Sequence, residues 1–445
     1  MPCSDAIAKA RERLAAGDHA TALALLRPLR QDAETRQAPE LVPLWEALAA
    51  RGRRIGLIDA VPDKVLAGHF GEVFSLAISA GGHSLYSGSK DGTIRTWDAG
   101  SGSEKAMLEG DKTPVLAVAL VPGERTLLAG YPAGAIRLWD LTTGKAVRQF
   151  KGHDRDIRAL TVFADGRSFV SASLDKTLRR WNLATGATQG TWEGHAGFVS
   201  SAALSPDETL VLSGSSDKTA RLWQVADGTC ARHLEGHQNT VRCVAFSPDG
   251  RLAASGGDDR AVIIWDPATG QQKRRLTGHE WEVNALAFSP DGRFLASGGR
   301  DRQLRLWNAA TGECLRVLEG HEGNITSLVF APDGRFCASA AEDQKIRLWT
   351  LDWDVEILPP LPYDEAARPF FDRFLARHAP RPATPDAPPG EPIWPDDEIP
   401  VFLQELAWRG FAHLTAQGVT DALTRLKAEF VEASKPKGFW GSLFG

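Results

Sequence analysis

Between Gly68 and Trp349 short apolar runs alternate with polar turns, and the alternation itself repeats. In one copy Val241, Cys243, Ala245 and Phe246 make an alternating run, followed by a tight turn at Ser247-Pro248-Asp249-Gly250. A second run spans Leu252 to Ser255, Asp258-Asp259 makes the next turn, and a third run ends in Ile263-Ile264-Trp265. A shorter fourth run, Arg274-Arg275-Leu276, precedes the next Gly-His pair. Alternation with period two marks strands, and Pro, Asp and Gly suit the turns between them. Gly-His pairs begin at Gly68, Gly152, Gly194, Gly236, Gly278 and Gly320, with Gly110-Asp111 in the remaining slot. The copies close at Trp97, Trp139, Trp181, Trp223, Trp265, Trp307 and Trp349, and every step in both series is 42 residues. A fixed period of this size predicts a repeat architecture. Four short antiparallel strands cannot bury both faces of their sheet alone, so the copies must pack face to face around an axis.

These units resemble the WD40-repeat family of β-propellers. Trp97-Asp98, Trp139-Asp140 and Trp265-Asp266 carry the signature dipeptide, while Trp181, Trp223, Trp307 and Trp349 keep the tryptophan alone. The resemblance covers about two thirds of the chain and implies a mainly β fold, a seven-bladed propeller with small α-helical extensions at both ends.

Six copies place His, Ser, Asp and Trp at fixed offsets. The sets are His69/Ser87/Asp91/Trp97, His153/Ser171/Asp175/Trp181, His195/Ser213/Asp217/Trp223, His237/Ser255/Asp259/Trp265, His279/Ser297/Asp301/Trp307 and His321/Ser339/Asp343/Trp349. Ser, His and Asp together raise the idea of a hydrolase triad. Six copies of one active site on one chain are implausible. The resemblance implies a buried hydrogen-bond chain within each blade, in which Trp donates to Ser, Ser to His and His to Asp. The second copy departs, with Asp111, Ala129 and Ala133 in the His, Ser and Asp slots and only Trp139 retained. Drift in a tolerant repeat is the first explanation, and a blade reshaped for a partner the second.

The resemblance also implies a binding face carrying three positions per blade: three and five residues after the repeat His, and one before the turn Asp. The fifth-position residues are Phe74, Leu116, Arg158, Ser200, Arg242, Asn284 and Thr326. Across all three positions, Phe74, Leu116, Pro132, Leu174 and Phe198, with Tyr131 beside them, form an apolar arc on blades one to four. Blades five to seven are polar and mixed in charge, with Trp281 rising among them. A connected apolar arc rimmed by charge is what a helix or peptide would occupy. The occupant is either another protein or the chain's own Phe370–Leu375 segment.

Four segments follow along the chain: a helical stretch over 1–60, in which LAAGDHATALALLRPL resembles the turn and second helix of a tetratricopeptide unit, the propeller over 61–358, a short helix and Pro-rich linker over 359–396, and a helical pair with an aromatic tail over 397–445. In the first, Ser4 or Asp5 caps one helix that Gly17 ends, Asp18 caps a second, and a third runs from about Pro39 to Ala50. Lys64-Val65-Leu66 is expected to close the last blade, with Val355-Glu356-Ile357-Leu358 as the rival strand. Asp364–His378 reads as a helix with an apolar face at Phe370, Phe371, Phe374 and Leu375. Asp397 is expected to cap a helix ended by Gly410, and the last helix to start near Thr420. The tail beyond Lys435 carries Phe439, Trp440, Leu443 and Phe444. It either folds back on the chain, fills a partner's pocket or touches a membrane surface.

Charge adds little. Lys and Arg number 51 against 56 Asp and Glu, a net −5, which gives no footprint for nucleic acid. No apolar run is long enough to span a bilayer, and the N-terminus lacks a signal-peptide core. The five cysteines, Cys3, Cys230, Cys243, Cys314 and Cys337, are scattered without a CxxC, as expected of reduced thiols in a cytoplasm. Heavy use of Ala, Arg, Gly and Pro points toward a GC-rich bacterium. No Walker loop, HExxH or nucleophile elbow is present, so neither metal, cofactor nor catalytic residue is expected. The Ser-Gly-Ser and Ser-Gly-Gly runs read as packing glycines. The function expected is a non-catalytic protein–protein interaction scaffold. The alternative is a sensor or regulatory subunit of a multi-protein bacterial signalling or defence system.

Overall fold

The computed structural model describes residues 3–30, 40–49, 52–379, 391–395 and 397–433. Two compact units result: Asp59–Asp352, and the two ends of the chain together, Met1–Ile58 with Trp353–Gly445. The first contains seven four-stranded antiparallel sheets, one per copy of the repeat, each built from strands consecutive in sequence except the last. The Ser247–Gly250 turn is typical of how strands are joined. Gly250 stands at φ +72°, and Ser247 Oγ accepts the Leu252 N–H at 2.9 Å. The repeat Gly before each His is demanded by close approach. A Cβ on Gly152 would lie 2.9 Å from Trp181 Cη2.

Blade seven is completed from the start of the chain. The strand Arg53–Ala67 lies beside Lys345–Glu356, which pairs with Phe336–Ala341 and then Ile325–Phe330. Val355 and Glu356 are therefore the end of the blade's long third strand, and do not turn back as a fourth. Pairing with a strand so distant in sequence covers the edge that would otherwise stay open.

All six polar tetrads form. In blade five, Trp265 Nε1 donates to Ser255 Oγ at 2.8 Å, Ser255 Oγ lies 2.8 Å from His237 Nε2, and His237 Nδ1 lies 2.9 Å from Asp259. The carboxylate can only accept, so Nδ1 carries the proton, Nε2 accepts, and the Ser hydroxyl donates to it. The other five repeat this chain. Ser87 accepts from Trp97 at 2.9 Å, Ser171 from Trp181 at 2.8 Å, Ser213 from Trp223 at 2.7 Å, Ser297 from Trp307 at 2.7 Å and Ser339 from Trp349 at 2.8 Å. Each of these serines also bonds its histidine Nε2. Ser87, Ser171, Ser213, Ser255, Ser297 and Ser339 are all fully buried, at 0% exposure. No substrate or partner can reach them, and they act inside the blades as members of the structural tetrads.

Blade two solves the same problem differently. Trp139 Nε1 donates to the Tyr131 hydroxyl at 2.9 Å, the Arg137 guanidinium lies 4.7 Å from the Tyr131 ring, and it pairs with Asp111 at 2.5 Å. Tyr131 is only 2% exposed, so its expected place on the binding arc is corrected. A phenol reaches the tryptophan where Ala129 is too short.

Among the described residues the chain ends make six α-helices: α1 (Cys3–Ala15), α2 (His19–Leu26), α3 (Val42–Ala49), α4 (Arg368–His378), α5 (Glu398–Leu406) and α6 (Ala416–Ala433). Asp18 caps α2 through the Thr21 N–H at 3.1 Å. Asp397 makes no side-chain capping bond to α5, contrary to expectation. The last helix starts four residues before Thr420 because Thr415 Oγ1 accepts the Gly418 N–H at 3.1 Å. Helices α4 to α6 share one core, in which Phe371, Phe374 and Leu375 pack with Phe402, Leu406, Leu423 and Leu426. The apolar face of α4 is thus covered within the helical unit, which removes the Phe370–Leu375 segment as the arc's occupant. The central part of the Pro-rich linker and the aromatic tail lie outside the described residues.

Ser255→Ala should lower stability by about 1–3 kcal/mol, seen as a shift in the urea midpoint, because Trp265 and His237 lose a shared partner. Tyr131→Phe should cost less, since it orphans one N–H. Shifts no larger than that of the exposed Lys151→Ala would refute a stabilising role for these chains. Acid should weaken the fold for a related reason. Burial opposes charge on Asp217, but hydrogen bonds from His195 and Thr219 outweigh it, so its carboxyl ionises below the usual carboxylate range. Its contribution is complete above the unfolded value of about 3.9 and drains as pH falls below it. Burial also lowers the His195 pKa, so that histidine weakens the fold as pH drops below about 6.5. Stability should fall from pH 6.5 toward pH 3, and Asp217→Asn should flatten the lower limb. Parallel acid limbs for the two proteins would contradict this.

Candidate binding face

In six blades the innermost strand bulges directly after its first residue. The pairing register jumps from Val73 to Ser75, Ile157 to Ala159, Val199 to Ser201, Val241 to Cys243, Val283 to Ala285 and Ile325 to Ser327. The skipped residues are Phe74, Arg158, Ser200, Arg242, Asn284 and Thr326. A bulge takes a residue out of the ladder and re-aims its side chain. These six, with Leu116 from blade two, line a cavity of about 290 Å³. The fifth position after the repeat His therefore has a physical meaning that spacing alone does not supply. None of the tetrad serines, Ser87, Ser171, Ser213, Ser255, Ser297 or Ser339, is among the residues lining it.

The lining is not uniform. Three side chains are used to join blades. Ser200 Oγ donates to Val241 O, Asn284 Nδ2 to Ile325 O at 3.2 Å, and Thr326 Oγ1 to Val73 O at 2.5 Å. Phe74 and Leu116, half-buried on adjacent blades, make an apolar sector. Arg242 is held by Asp258. Arg158 makes no hydrogen bond or ion pair among the described residues. It is exposed on the cavity wall, and the groups packed around it lower its pKa by desolvation, with Asp156 opposing the shift and Arg242 reinforcing it. Glu342 lines the same cavity from blade seven.

The loops that lead into the inner strands expose aromatics: Phe70 at 85% before Val73, Trp281 at 51% before Val283 and Phe198 at 41% before Val199. Each lies beside arginine. The Arg155 guanidinium is 5.6 Å from the Phe198 ring, Arg95 is 5.8 Å from Phe70, and Arg260 and Arg300 are 5.7 and 5.6 Å from Trp281. Pro132 and Leu174 are half-buried. Apolar surface thus extends beyond blades one to four, to Trp281 on blade six, and includes Phe70. Sequence inspection missed Phe70, although a phenylalanine directly after the repeat His stands out against Asp154, Ala196, Gln238, Glu280 and Glu322 in the same slot.

Among the described residues no group of three His, Cys, Asp or Glu is placed to hold a metal, and no helix is long and apolar enough to cross a membrane.

The family model for the WD domain, G-beta repeat, matches residues 61–98, 144–182, 186–224, 228–266, 270–308 and 312–350. The unmatched stretch between the first two is blade two, where Tyr131 replaces the usual polar chain, yet its four strands are complete. No curated protein matches the chain. With six repeats matched over more than half its length, and a seventh blade on the same plan, the chain belongs to the WD40-repeat family.

Proposed function

We propose that this protein is a non-catalytic interaction scaffold whose propeller face holds a protein or peptide partner. Propellers of this family typically serve as protein-interaction scaffolds and are generally non-enzymatic. The observation that carries the reading is the set of exposed aromatics, Phe70, Phe198 and Trp281, in loops that lead into three of the inner strands lining a cavity with apolar residues in its wall. Aromatic anchors with arginines beside them are the residue types that dominate binding energy at interfaces. Cys230, Cys243, Cys314 and Cys337 are free thiols, in keeping with a cytoplasmic setting.

A second reading makes the protein a regulatory subunit of a bacterial signalling or defence assembly. It draws on the helical unit, which has its own core and exposes Ile393 and Val401 at 73% and 53%. In that reading the helical ends recruit an effector while the propeller detects a target.

Affinity purification from the native organism should return a specific partner with the wild type. Phe198→Asp combined with Trp281→Asp should lose it by about tenfold or more, at unchanged melting temperature. An unchanged partner set would refute the propeller face as the docking surface. Loss in Val401→Asp alone would move the interaction to the helical unit.

A further inference from the structure

Among the described residues lining the cavity, Arg158 is a cation without an ion-pair partner. Of its seven fifth-position residues, Ser200, Asn284 and Thr326 join neighbouring blades, and Arg242 is held by Asp258. Phe74 and Leu116 are apolar and sit on consecutive blades, followed on the next blade by Arg158. No carboxylate among the described residues pairs with Arg158. Asp156 is near enough to favour its charge, but its Oδ1 accepts the Ala133 N–H at 3.3 Å. Arg242 adds repulsion from the other side. Glu342, the cavity's carboxylate, stands on blade seven, away from Arg158 in the order of blades; the nearby Lys90 is bonded to Glu72 at 2.8 Å. This guanidinium, exposed in a concave site without a protein partner and near another guanidinium, has five donors open to an incoming acceptor.

We propose that the cavity reads an acidic side chain next to an apolar one in a partner peptide: the carboxylate on Arg158, the apolar neighbour against Phe74 and Leu116. This rests on the scaffold reading above and names the chemistry of its ligand. Charge complementarity selects the occupant. A basic peptide would meet Arg158 with like charge, Arg242 being already paired with Asp258, and a wholly apolar one would leave the Arg158 guanidinium covered and unpaired. A carboxylate satisfies it through two parallel N–H···O bonds, an arrangement that discriminates an acid from its amide isostere. The cavity, about 290 Å³, lies at the lower end of the range for ligand sites, which fits side chains entering from above better than a whole folded element. Phe198, beside Arg155 in the loop before Val199, offers the flanking peptide an aromatic surface.

The test is an array of blocked hexapeptides in which each apolar residue is followed by Asp, Glu, Asn, Gln or Lys, probed with labelled full-length protein. The acidic members should bind about tenfold more strongly than their amide counterparts. Arg158→Gln should erase that difference without moving the melting temperature, because Arg158 makes no bond that the fold needs. Arg158→Glu should transfer the preference to Lys. An acid-to-amide ratio near one in the wild type, or an acidic preference that survives Arg158→Gln, overturns the proposal. Binding of apolar members whatever follows them, lost in Leu116→Asp, would overturn the role of Arg158 while leaving the propeller as a protein-binding face. If no member binds, this proposal falls, and the affinity purification decides the scaffold reading on its own.

Discussion

Each blade is a small sheet with apolar residues on both faces, and neither face can be left in water. The ring meets this demand by a repeated fit between neighbours. The residue that opens each inner strand, or in blade two stands two places before it, is β-branched and fully buried: Val73, Val115, Ile157, Val199, Val241, Val283 and Ile325. It presses on a small residue in the second strand of the blade before it. A Cβ on Gly214 would lie 2.8 Å from Val241 Cγ1, and one on Gly298 would lie 2.5 Å from Ile325 Cγ2. The glycines of the Ser-Gly runs are therefore clearance for the next blade. Hydrogen bonds add to the packing, as where Ser327 Oγ accepts the Leu76 N–H at 3.0 Å. Because every blade completes its neighbour, the chain has to close, and the strand Arg53–Ala67 closes it.

The same close approach shapes the binding face. Just after the buried β-branched residue the strand bulges, and the next side chain turns into the cavity. Packing and binding thus occupy adjacent positions on one strand. This lets the lining vary from Phe74 to Arg158 to Thr326 without disturbing the contacts that hold the ring. Ser200, Asn284 and Thr326 of this lining also bond the next blade, so the chemistry left for a ligand lies with Phe74, Leu116 and Arg158.

Blade two shows how far the polar interior can be rewritten. Elsewhere the tryptophan N–H is satisfied by a serine backed by His and Asp. Here Tyr131 takes its place, with Arg137 and Asp111 beside it. What matters is that the buried indole has an acceptor and that the acceptor is itself accommodated. The family model passes over this copy although the sheet is intact, because the model reads residue identities and the fold requires only satisfied groups.

The repeat, the strand pattern, the number of blades and the tetrads were legible in the sequence, since each is set by local alternation and turn chemistry repeated at a fixed interval. The helices at the ends were legible too, from their apolar stripes. Their partners were not. That α4 is covered by α5 and α6 depends on contacts between segments far apart in sequence, which no local pattern encodes. The start of α6 was misplaced because the capping role of Thr415 shows only in its bond to Gly418. Tyr131 was misjudged for a like reason: a tyrosine in a turn reads as surface until an unpartnered indole is seen within reach. Sequence spacing listed the seven cavity residues as equals. Only the tertiary structure divided them, because whether a side chain is spent on a neighbouring blade, paired with a carboxylate or left free depends on distances between strands that the ring brings together.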